Sequence, residues 1–237
     1  MQTNWFTDNS YLKLESRPVF LVFGSGYYQS DQWNQIFSSL PQPPQFFTES
    51  DRRAPAAGGF DWPQPGKGTE GSFRDAEHFY TLAPQWSHFI PAVFPRFHDM
   101  YAEAEVQKSW GKIEDRDGKT YEETLEKALK STADFIQLVT WNDWGEGTQI
   151  EPSVEFGYRD LEATQRMRHK YIKSSFPYTA QDLRLPVELY TLRKQLPADK
   201  TRQTRLDEVS NLLFKGNLSE ARKLMALLSK QASVSSK

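Results

Sequence analysis

The chain has 237 residues, enough for one domain with an appendage and for a sizeable core. Its formal net charge is −2, with acidic and basic residues mixed along the chain. This balance gives no electrostatic reason to expect nucleic acid or an anionic membrane as a partner. The chain has no cysteine, which excludes disulfides, thiolate catalysis and cysteine-bound metals.

No targeting segment is visible in the sequence. The residues after Met1 contain no basic stretch that leads into an apolar run, and no apolar stretch reaches membrane-spanning length. As written, the sequence predicts a cytoplasmic protein. A secreted or periplasmic location is the alternative if an N-terminal segment is missing, so the compartment stays unknown.

Apolar runs alternate with helical patterns over the first two thirds of the chain. Helices are predicted over residues 32–40, from Thr120, which makes a capping-box pattern with Glu123, and over residues 157–171. The first run is continuously apolar, as in parallel strands that are buried on both faces. The predicted strands are residues 19–24, 45–48, 58–62, 88–94 and 135–140.

This alternation predicts βα units, a parallel sheet and therefore an α/β fold. A closed barrel of eight such units needs roughly 250 residues, which is more than this part of the chain offers. Beyond residue 176, leucines at helical spacing with a break at Gly216 predict a C-terminal helical extension. We therefore expect two domains, residues 1–175 and 176–237.

The most informative segment is residues 140–152, Thr-Trp-Asn-Asp-Trp-Gly-Glu-Gly-Thr-Gln-Ile-Glu-Pro, directly after the last predicted strand. Gly145 and Gly147 allow a sharp turn there. The turn places Asp143 and Glu146 at a strand's carboxyl end, where α/β folds carry their chemistry. Two acids can divide the work of glycosidic cleavage, because one protonates the leaving oxygen and the other activates the attacking group.

The segment resembles the signature of glycoside hydrolase family 99 and the family 71/99-like proteins, whose last barrel strand ends in an Asn-Glu-Trp-x-Glu-Gly-Thr-x-Ile-Glu type of motif. The chain differs at Asp143, where family 99 has Glu and family 71 has Asp. The resemblance implies a (β/α)8 TIM-barrel type of fold, incomplete here, with strands 4–8 present and a missing N-terminal segment. It also implies a glycoside hydrolase that cleaves α-linked oligo- or polysaccharides of the mannan or glucan type.

By the same resemblance, Glu146 is the general acid/base and Asp143 is the carboxylate that acts as base. In family 99 that base deprotonates the sugar's own 2-hydroxyl, with net retention, whereas the pair in family 71 is associated with inversion. Both outcomes stay open for this chain. The structural alternative is that the two acids only cap backbone amides in a tight turn.

Further residues of the motif and of other strand ends are candidate sugar contacts. Glu151 is expected to orient the turn, with a direct sugar contact as the alternative. The indole rings of the motif are either sugar platforms or core, and His98 has a plain surface histidine as its alternative. The predicted substrate-binding residues are Trp141, Trp144, Asn142, Glu151, Trp62, Asp61, His98, Asp99 and Tyr28.

No metal and no cofactor are predicted. The histidines, at positions 78, 88, 98 and 169, show no paired ligand spacing. Gly24-x-Gly26 lacks the rest of a dinucleotide-binding fingerprint. The alternative to an enzyme is a non-catalytic carbohydrate-binding or accessory barrel remnant linked to polysaccharide metabolism, which the small number of predicted strands favours.

Overall fold

The computed structural model describes residues 2–196 and 200–235. The chain divides into two compact units, Met1–Tyr171 and Ile172–Lys237. The first unit contains strands and helices, and the second is helical. The motif at residues 140–152 lies in the first unit.

Short strands form the frame of the first unit. The strands are β1 (Lys13–Leu14), β2 (Arg17–Val22), β3 (Gln45–Glu49), β4 (Gly58–Phe60), β5 (His88–Ile90), β6 (Ala92–Val93), β7 (Phe97–His98), β8 (Lys112–Ile113) and β9 (Gln137–Leu138).

The first five strands form one sheet in chain order. β1 is antiparallel to β2, while β2, β3, β4 and β5 are mutually parallel. The predicted strand 88–94 is divided at Pro91, after which β6 pairs in parallel with β9. Proline has no backbone N–H to give to a ladder. The result is a curled sheet that fits part of a TIM barrel, in agreement with the predicted α/β class.

Adjacent residues of a strand pack on opposite faces of this sheet. On β3, Phe46 packs outward in a cluster with Trp33 and Phe37, while Phe47 packs inward with Val19 and Phe60. A strand with apolar side chains on both faces is typical of a parallel sheet covered by helices. Each of these buried aromatic side chains contributes about 1.5–3 kcal/mol to stability.

Helices follow the strands in the first unit, joined by short 3-10 turns and opened by one π-helical turn. The turns are Gln2–Phe6, Ser25–Tyr27, Pro65–Lys67, Ala83–Gln85 and Arg116–Gly118. The helices are α1 (Ser30–Ser38), α2 (Gly68–Leu82), α3 (Lys119–Lys130) and α4 (Arg159–Tyr171).

Two expectations about these helices were incomplete or wrong. No helix was predicted where α2 lies, because its buried face is made of small or polar residues such as Ser72 and Ala76 rather than of an apolar stripe. The capping box at Thr120 is wrong, since α3 begins one residue earlier, after Gly118 in the left-handed conformation. The Thr120 hydroxyl instead donates to the carbonyl of Glu114 at 2.6 Å.

The second unit packs three helices around one leucine-rich core within the residues described, with a 3-10 turn at Asp182–Arg184 before them. At Gly216, φ is +72°, and the amides of Gly216 and Asn217 donate to the carbonyls of Leu213 and Leu212. This Schellman pattern confirms the predicted helix break at Gly216. The helices are α5 (Leu185–Gln195), α6 (Lys200–Phe214) and α7 (Leu218–Ser235).

Candidate active site at the end of strand β9

The motif forms a closed turn immediately after β9. The Thr140 amide donates to the Thr148 carbonyl at 3.1 Å, and the Ile150 amide returns to the Thr140 carbonyl at 3.1 Å. The hydroxyls of Thr140 and Thr148 also contact each other at 2.8 Å. These bonds close residues 140–150 into a compact loop at the carboxyl end of the strand.

Asp143 is held inside this loop by hydrogen bonds at its backbone and its side chain. Its amide donates to the Thr140 hydroxyl at 3.0 Å, and its Oδ1 accepts the Glu146 amide at 3.1 Å. The side chain thus caps the backbone amide three residues ahead, which is the structural role that the sequence left open for the acid. Only one of the two carboxylate oxygens makes this contact, so Oδ2 is not used in holding the turn.

The hairpin made by β7 and β8 supports the turn through backbone hydrogen bonds. The His98 amide donates to the Glu146 carbonyl at 2.9 Å, and the Met100 amide donates to the Gly145 carbonyl at 3.0 Å. Gly147 lies at φ +66°, where a Cβ would come within 2.7 Å of the His98 carbonyl oxygen. Glycine is therefore required there both by the backbone conformation and by the close approach of the hairpin.

Asp99 organises the loop that connects β7 to β8. It is buried, and its Oδ1 accepts the Tyr101 amide at 3.3 Å. Its Oδ2 accepts the Trp110 amide at 2.7 Å and the Ser109 hydroxyl at 3.1 Å. Because both oxygens are used inside the loop, Asp99 acts on the site as a fixed charge and a loop organiser.

Glu146 is half-buried and lies near the other two carboxylates. Burial raises the pKa of Glu146 above its ordinary value, and the charges of Asp143 and Asp99 raise it further. A raised pKa suits a general acid, because the group stays protonated to higher pH. Trp144, two residues before Glu146, donates its indole N–H to Glu151 Oε2 at 3.1 Å.

The motif's aromatic side chains are open to solvent. Trp141 is 51% exposed and Trp144 is 48% exposed, and Asn142 beside them is also exposed. Exposed indole faces next to a carboxylate pair are the arrangement that stacks on sugar rings. Glu151 orients one of these rings through its contact with Trp144.

Asp61 and Trp62, at the end of β4, line a different part of the unit. Together with Glu49, Asp75 and His78 they line a cavity of about 400 Å³, to which no described residue of the motif contributes. Asp61 is 4% exposed, and this burial raises its pKa to about 7. Hydrogen bonds from the amides of Trp62 and Ala92 lower that pKa, whereas the charge of Asp75 adds to the rise.

The other predicted contacts are divided between the site and its surroundings. The His98 side chain is exposed, and its backbone amide supports the motif turn by donating to the Glu146 carbonyl. Tyr28 is half-exposed and lies edge-on to Trp33 of α1, with ring centroids 5.1 Å apart. The structure therefore brings together the motif, His98 and Asp99, but places Tyr28 with the first helix.

Sequence reasoning did not find the ion cluster that holds the far end of the motif. Arg96 is 5% exposed, and its guanidinium donates to Asp115 at 3.1 Å, to Asp160 at 2.9 Å and to the Gln149 carbonyl. Burial alone would raise the pKa of Asp115, but hydrogen bonds and charge from Arg159 and Arg96 hold it below its ordinary value. The partners are up to 64 residues apart, so no local pattern announces them.

The described residues contain no group of three or more His, Cys, Asp or Glu side chains that could hold a metal ion. None of the described helices is both long enough and apolar enough to cross a membrane. The motif itself contains carboxylates, indole rings and backbone amides.

Comparison with known proteins places the motif in a recognised context. Residues 72–178 match the model of glycosyl hydrolase family 99. The glycoprotein endo-alpha-1,2-mannosidase of Rattus norvegicus is 34% identical in an alignment of 113 residues, and the match covers 41% of this chain and 24% of that protein. The chain thus spans about a quarter of the curated relative's length.

Solved structures agree on the fold. The GH99 endo-alpha-mannosidase from Bacteroides thetaiotaomicron has a TM-score of 0.52 at 18% identity, covering 67% of this chain and 60% of that one. A glycoside hydrolase-like protein has a TM-score of 0.50 at 12% identity, covering 71% and 58%. The family model and the curated relative confirm the resemblance to family 99, and the model match covers residues 72–178.

Proposed function

We propose that the first unit cleaves α-linked glycans, of the mannan or glucan type, with the carboxylate pair Glu146 and Asp143. The observation that carries this proposal is the state of Glu146, a half-buried acid at a strand's carboxyl end whose pKa is raised by burial, Asp143 and Asp99. An acid that stays protonated to higher pH can donate a proton to a leaving oxygen. The family match over the same residues supports the assignment.

The two acids would take complementary roles. Glu146 donates its proton to the glycosidic oxygen as the bond from that oxygen to the anomeric carbon breaks. Asp143 accepts a proton from the group that attacks the anomeric carbon, which is either the sugar's own 2-hydroxyl or a water molecule. If the 2-hydroxyl attacks, an anhydrosugar forms and water then opens it. In that second step Glu146 accepts a proton from the water and Asp143 returns its proton to the sugar oxygen, so both acids regain their starting states and the configuration is retained.

The reach of the Asp143 side chain bears on whether it acts as a base or as a direct nucleophile. Aspartate is one methylene shorter than the glutamate of family 99, and its Oδ1 is already bonded to the Glu146 amide. Both facts favour a role for Oδ2 as base rather than as direct nucleophile. We expect the two carboxyl groups to be about 6.5–9.5 Å apart in a sugar complex, the spacing that leaves room for a water.

The fold assignment extends the same proposal. Residues 1–175 would be the C-terminal part of a (β/α)8 barrel, and residues 176–237 a helical extension. In this assignment β2, β3, β4, the β5–β6 pair and β9 correspond to strands 4–8. The motif would then follow the last strand at the face where barrels carry their active sites. Exposed Trp141 and Trp144 would stack on the oligosaccharide or polysaccharide substrate.

Glycan binding without turnover is the second candidate function. It is favoured by one observation, the hydrogen bond that uses Asp143 Oδ1 inside its own turn. If Asp143 serves only to shape the turn, the exposed indole rings still provide a sugar-binding surface.

The test is hydrolysis of α-linked manno- and gluco-oligosaccharides by the wild-type chain and by Glu146→Gln and Asp143→Asn. Loss of a positioned proton donor or acceptor lowers the rate about 10²- to 10⁴-fold. Glu103→Gln, at an exposed acid in the loop after β7, is the matched control and should keep the rate. Unchanged hydrolysis in both site variants would refute the carboxylate mechanism, and binding without hydrolysis at any pH would establish the second candidate.

A further inference from the structure

The loop between β7 and β8 brings an aromatic pair to the edge of the carboxylate site. Tyr101 and Trp110 lie edge to face, with ring centroids 5.3 Å apart. The amides of both residues donate to Asp99, at 3.3 Å for Tyr101 and 2.7 Å for Trp110. The Val106 amide also donates to the Tyr101 carbonyl at 3.0 Å. The position of Tyr101 is therefore fixed by its backbone and by its ring.

The Tyr101 ring lies close to the turn that carries Asp143 and Glu146. A Cβ built on Gly145 would lie 3.6 Å from Asp143 Oδ1 and 4.0 Å from Tyr101 Cε1. Both groups thus border the same small volume, and Gly145 leaves it empty. The three carboxylates of the site raise the pKa of the Tyr101 hydroxyl, after desolvation, in the order Glu146, Asp143 and Asp99. The Tyr101 side chain therefore lies within electrostatic reach of all three acids.

The carboxylates near this volume provide acceptors for a sugar hydroxyl but no donor, and Tyr101 provides one. An ionised carboxylate can only accept hydrogen bonds, whereas each sugar hydroxyl both donates and accepts. A hydroxyl that donates to Asp143 or Glu146 still needs a donor for its own lone pairs. The phenol of Tyr101 is a neutral donor at the border of the same space, because a tyrosine keeps its proton at physiological pH.

We propose that Tyr101 is a substrate-binding residue, whose hydroxyl donates a hydrogen bond to a sugar hydroxyl held between Gly145 and the carboxylate pair. Trp110 fixes the ring by edge-to-face contact, and Asp99 fixes the loop that carries both aromatic residues. The inference rests on the proposed function, because the ligand is a glycan at the same site. It assigns to the β7–β8 loop a direct part in recognising that ligand.

The test is binding of an α-1,2-linked mannotriose and of a linear α-1,3-linked glucotriose, measured by calorimetry with the full chain. Tyr101→Phe removes the donor and keeps the ring against Trp110, so affinity for the bound sugar should fall about 3- to 10-fold. Gly145→Ala should weaken binding as well, because its methyl group fills the open space at ordinary contact distances. Tyr190→Phe, at an exposed tyrosine of α5, is the matched control and should bind as the wild type does.

The outcomes separate this inference from the function on which it rests. Equal affinity of Tyr101→Phe and wild type would overturn the role of Tyr101, even where Glu146→Gln abolishes hydrolysis. A loss of affinity with an unchanged thermal midpoint supports the direct contact, and a loss that follows a lowered midpoint in both variants overturns it in favour of a structural role. If the wild-type chain neither binds nor cleaves either sugar, the proposed function fails together with the inference.

Discussion

Asp61 makes the stability of the first unit depend on pH in a direction unusual for a carboxylate. Its pKa is about 7 in the folded chain, because the side chain is buried, against an ordinary value of 3.8. Below about pH 4 the group is protonated in both the folded and the unfolded chain and has no effect. As the pH rises toward 7, the unfolded chain releases the proton while the folded chain retains it. Stability therefore falls through this window.

The size of the effect follows from the shift. One pKa unit corresponds to 1.36 kcal/mol, so a rise from 3.8 to about 7 costs about 4 kcal/mol of unfolding free energy once the group is ionised in both states. Asp61→Asn removes this cost. Its amide oxygen can still accept from the backbone amides of Trp62 and Ala92, which now donate to the carboxylate. The variant should match the wild type near pH 4 and exceed it by about 4 kcal/mol above pH 8.

Urea unfolding followed by tryptophan fluorescence measures this difference directly. All 7 tryptophans lie in the first unit, so the signal reports on that unit alone. The quantity to compare is the difference in unfolding free energy between Asp61→Asn and wild type at a series of pH values. Glu103→Gln, at an exposed acid of the loop between β7 and β8, is a control in which that difference should stay small. A constant difference between pH 4 and 9 would refute the assignment of a raised pKa to Asp61.

Two further substitutions test what holds the turn that carries Asp143 and Glu146. Arg96→Met leaves Asp160 as a buried charge without its main partner and should lower the unfolding free energy by about 3–5 kcal/mol, while Arg166→Ala, at an exposed pair, should change it by about 1 kcal/mol or less. Equal effects of the two in urea unfolding would contradict the central role of the buried cluster. Gly147→Ala forces a side chain into a left-handed conformation and against the His98 carbonyl, and should cost about 1–3 kcal/mol in the same assay, where an unchanged urea midpoint would show that the turn relaxes freely.

The sequence predicted the sheet better than the helices because the two signals differ in strength. Residues 19–23 are continuously apolar and residues 46 and 47 are adjacent phenylalanines, and the structure has β2 and β3 there. The helix α2 buries Gly71 and Ser72, whose small side chains give no apolar periodicity. Its helical state depends on close packing against the sheet, which a single sequence does not display.

Within the site, local contacts were predictable and distant ones were not. The turn, its glycines and its two acids lie within 13 consecutive positions, so the motif could be recognised as a unit. Asp99 was named only as a sugar contact, and its contacts with Trp110 show a carboxylate that holds a loop. Arg96 lies 53 residues before the Gln149 carbonyl that it holds, and such a pairing exists only after the chain has folded.

Asp99 also provides a test of the electrostatics of Glu146 that does not require activity. Burial is the largest cause of the raised pKa of Glu146, and the charges of Asp143 and Asp99 follow. Removing one negative neighbour favours the ionised form, so Asp99→Asn should move the titration midpoint of Glu146 to lower pH. Burial and Asp143 would still keep that midpoint above the ordinary value of a glutamate.

Carbon-13 NMR of the Glu146 carboxyl against pH measures this midpoint, with the resonance assigned by its absence in Glu146→Gln. Glu103→Gln removes an exposed charge from the same loop, where solvent screens it, and should leave the midpoint in place. An equal shift in both variants would show that the loop's overall charge matters and not the buried position of Asp99. An unchanged midpoint in Asp99→Asn would remove Asp99 from the causes of the raised pKa. A shift confined to Asp99→Asn would show that one buried carboxylate both shapes the loop and keeps the neighbouring acid protonated.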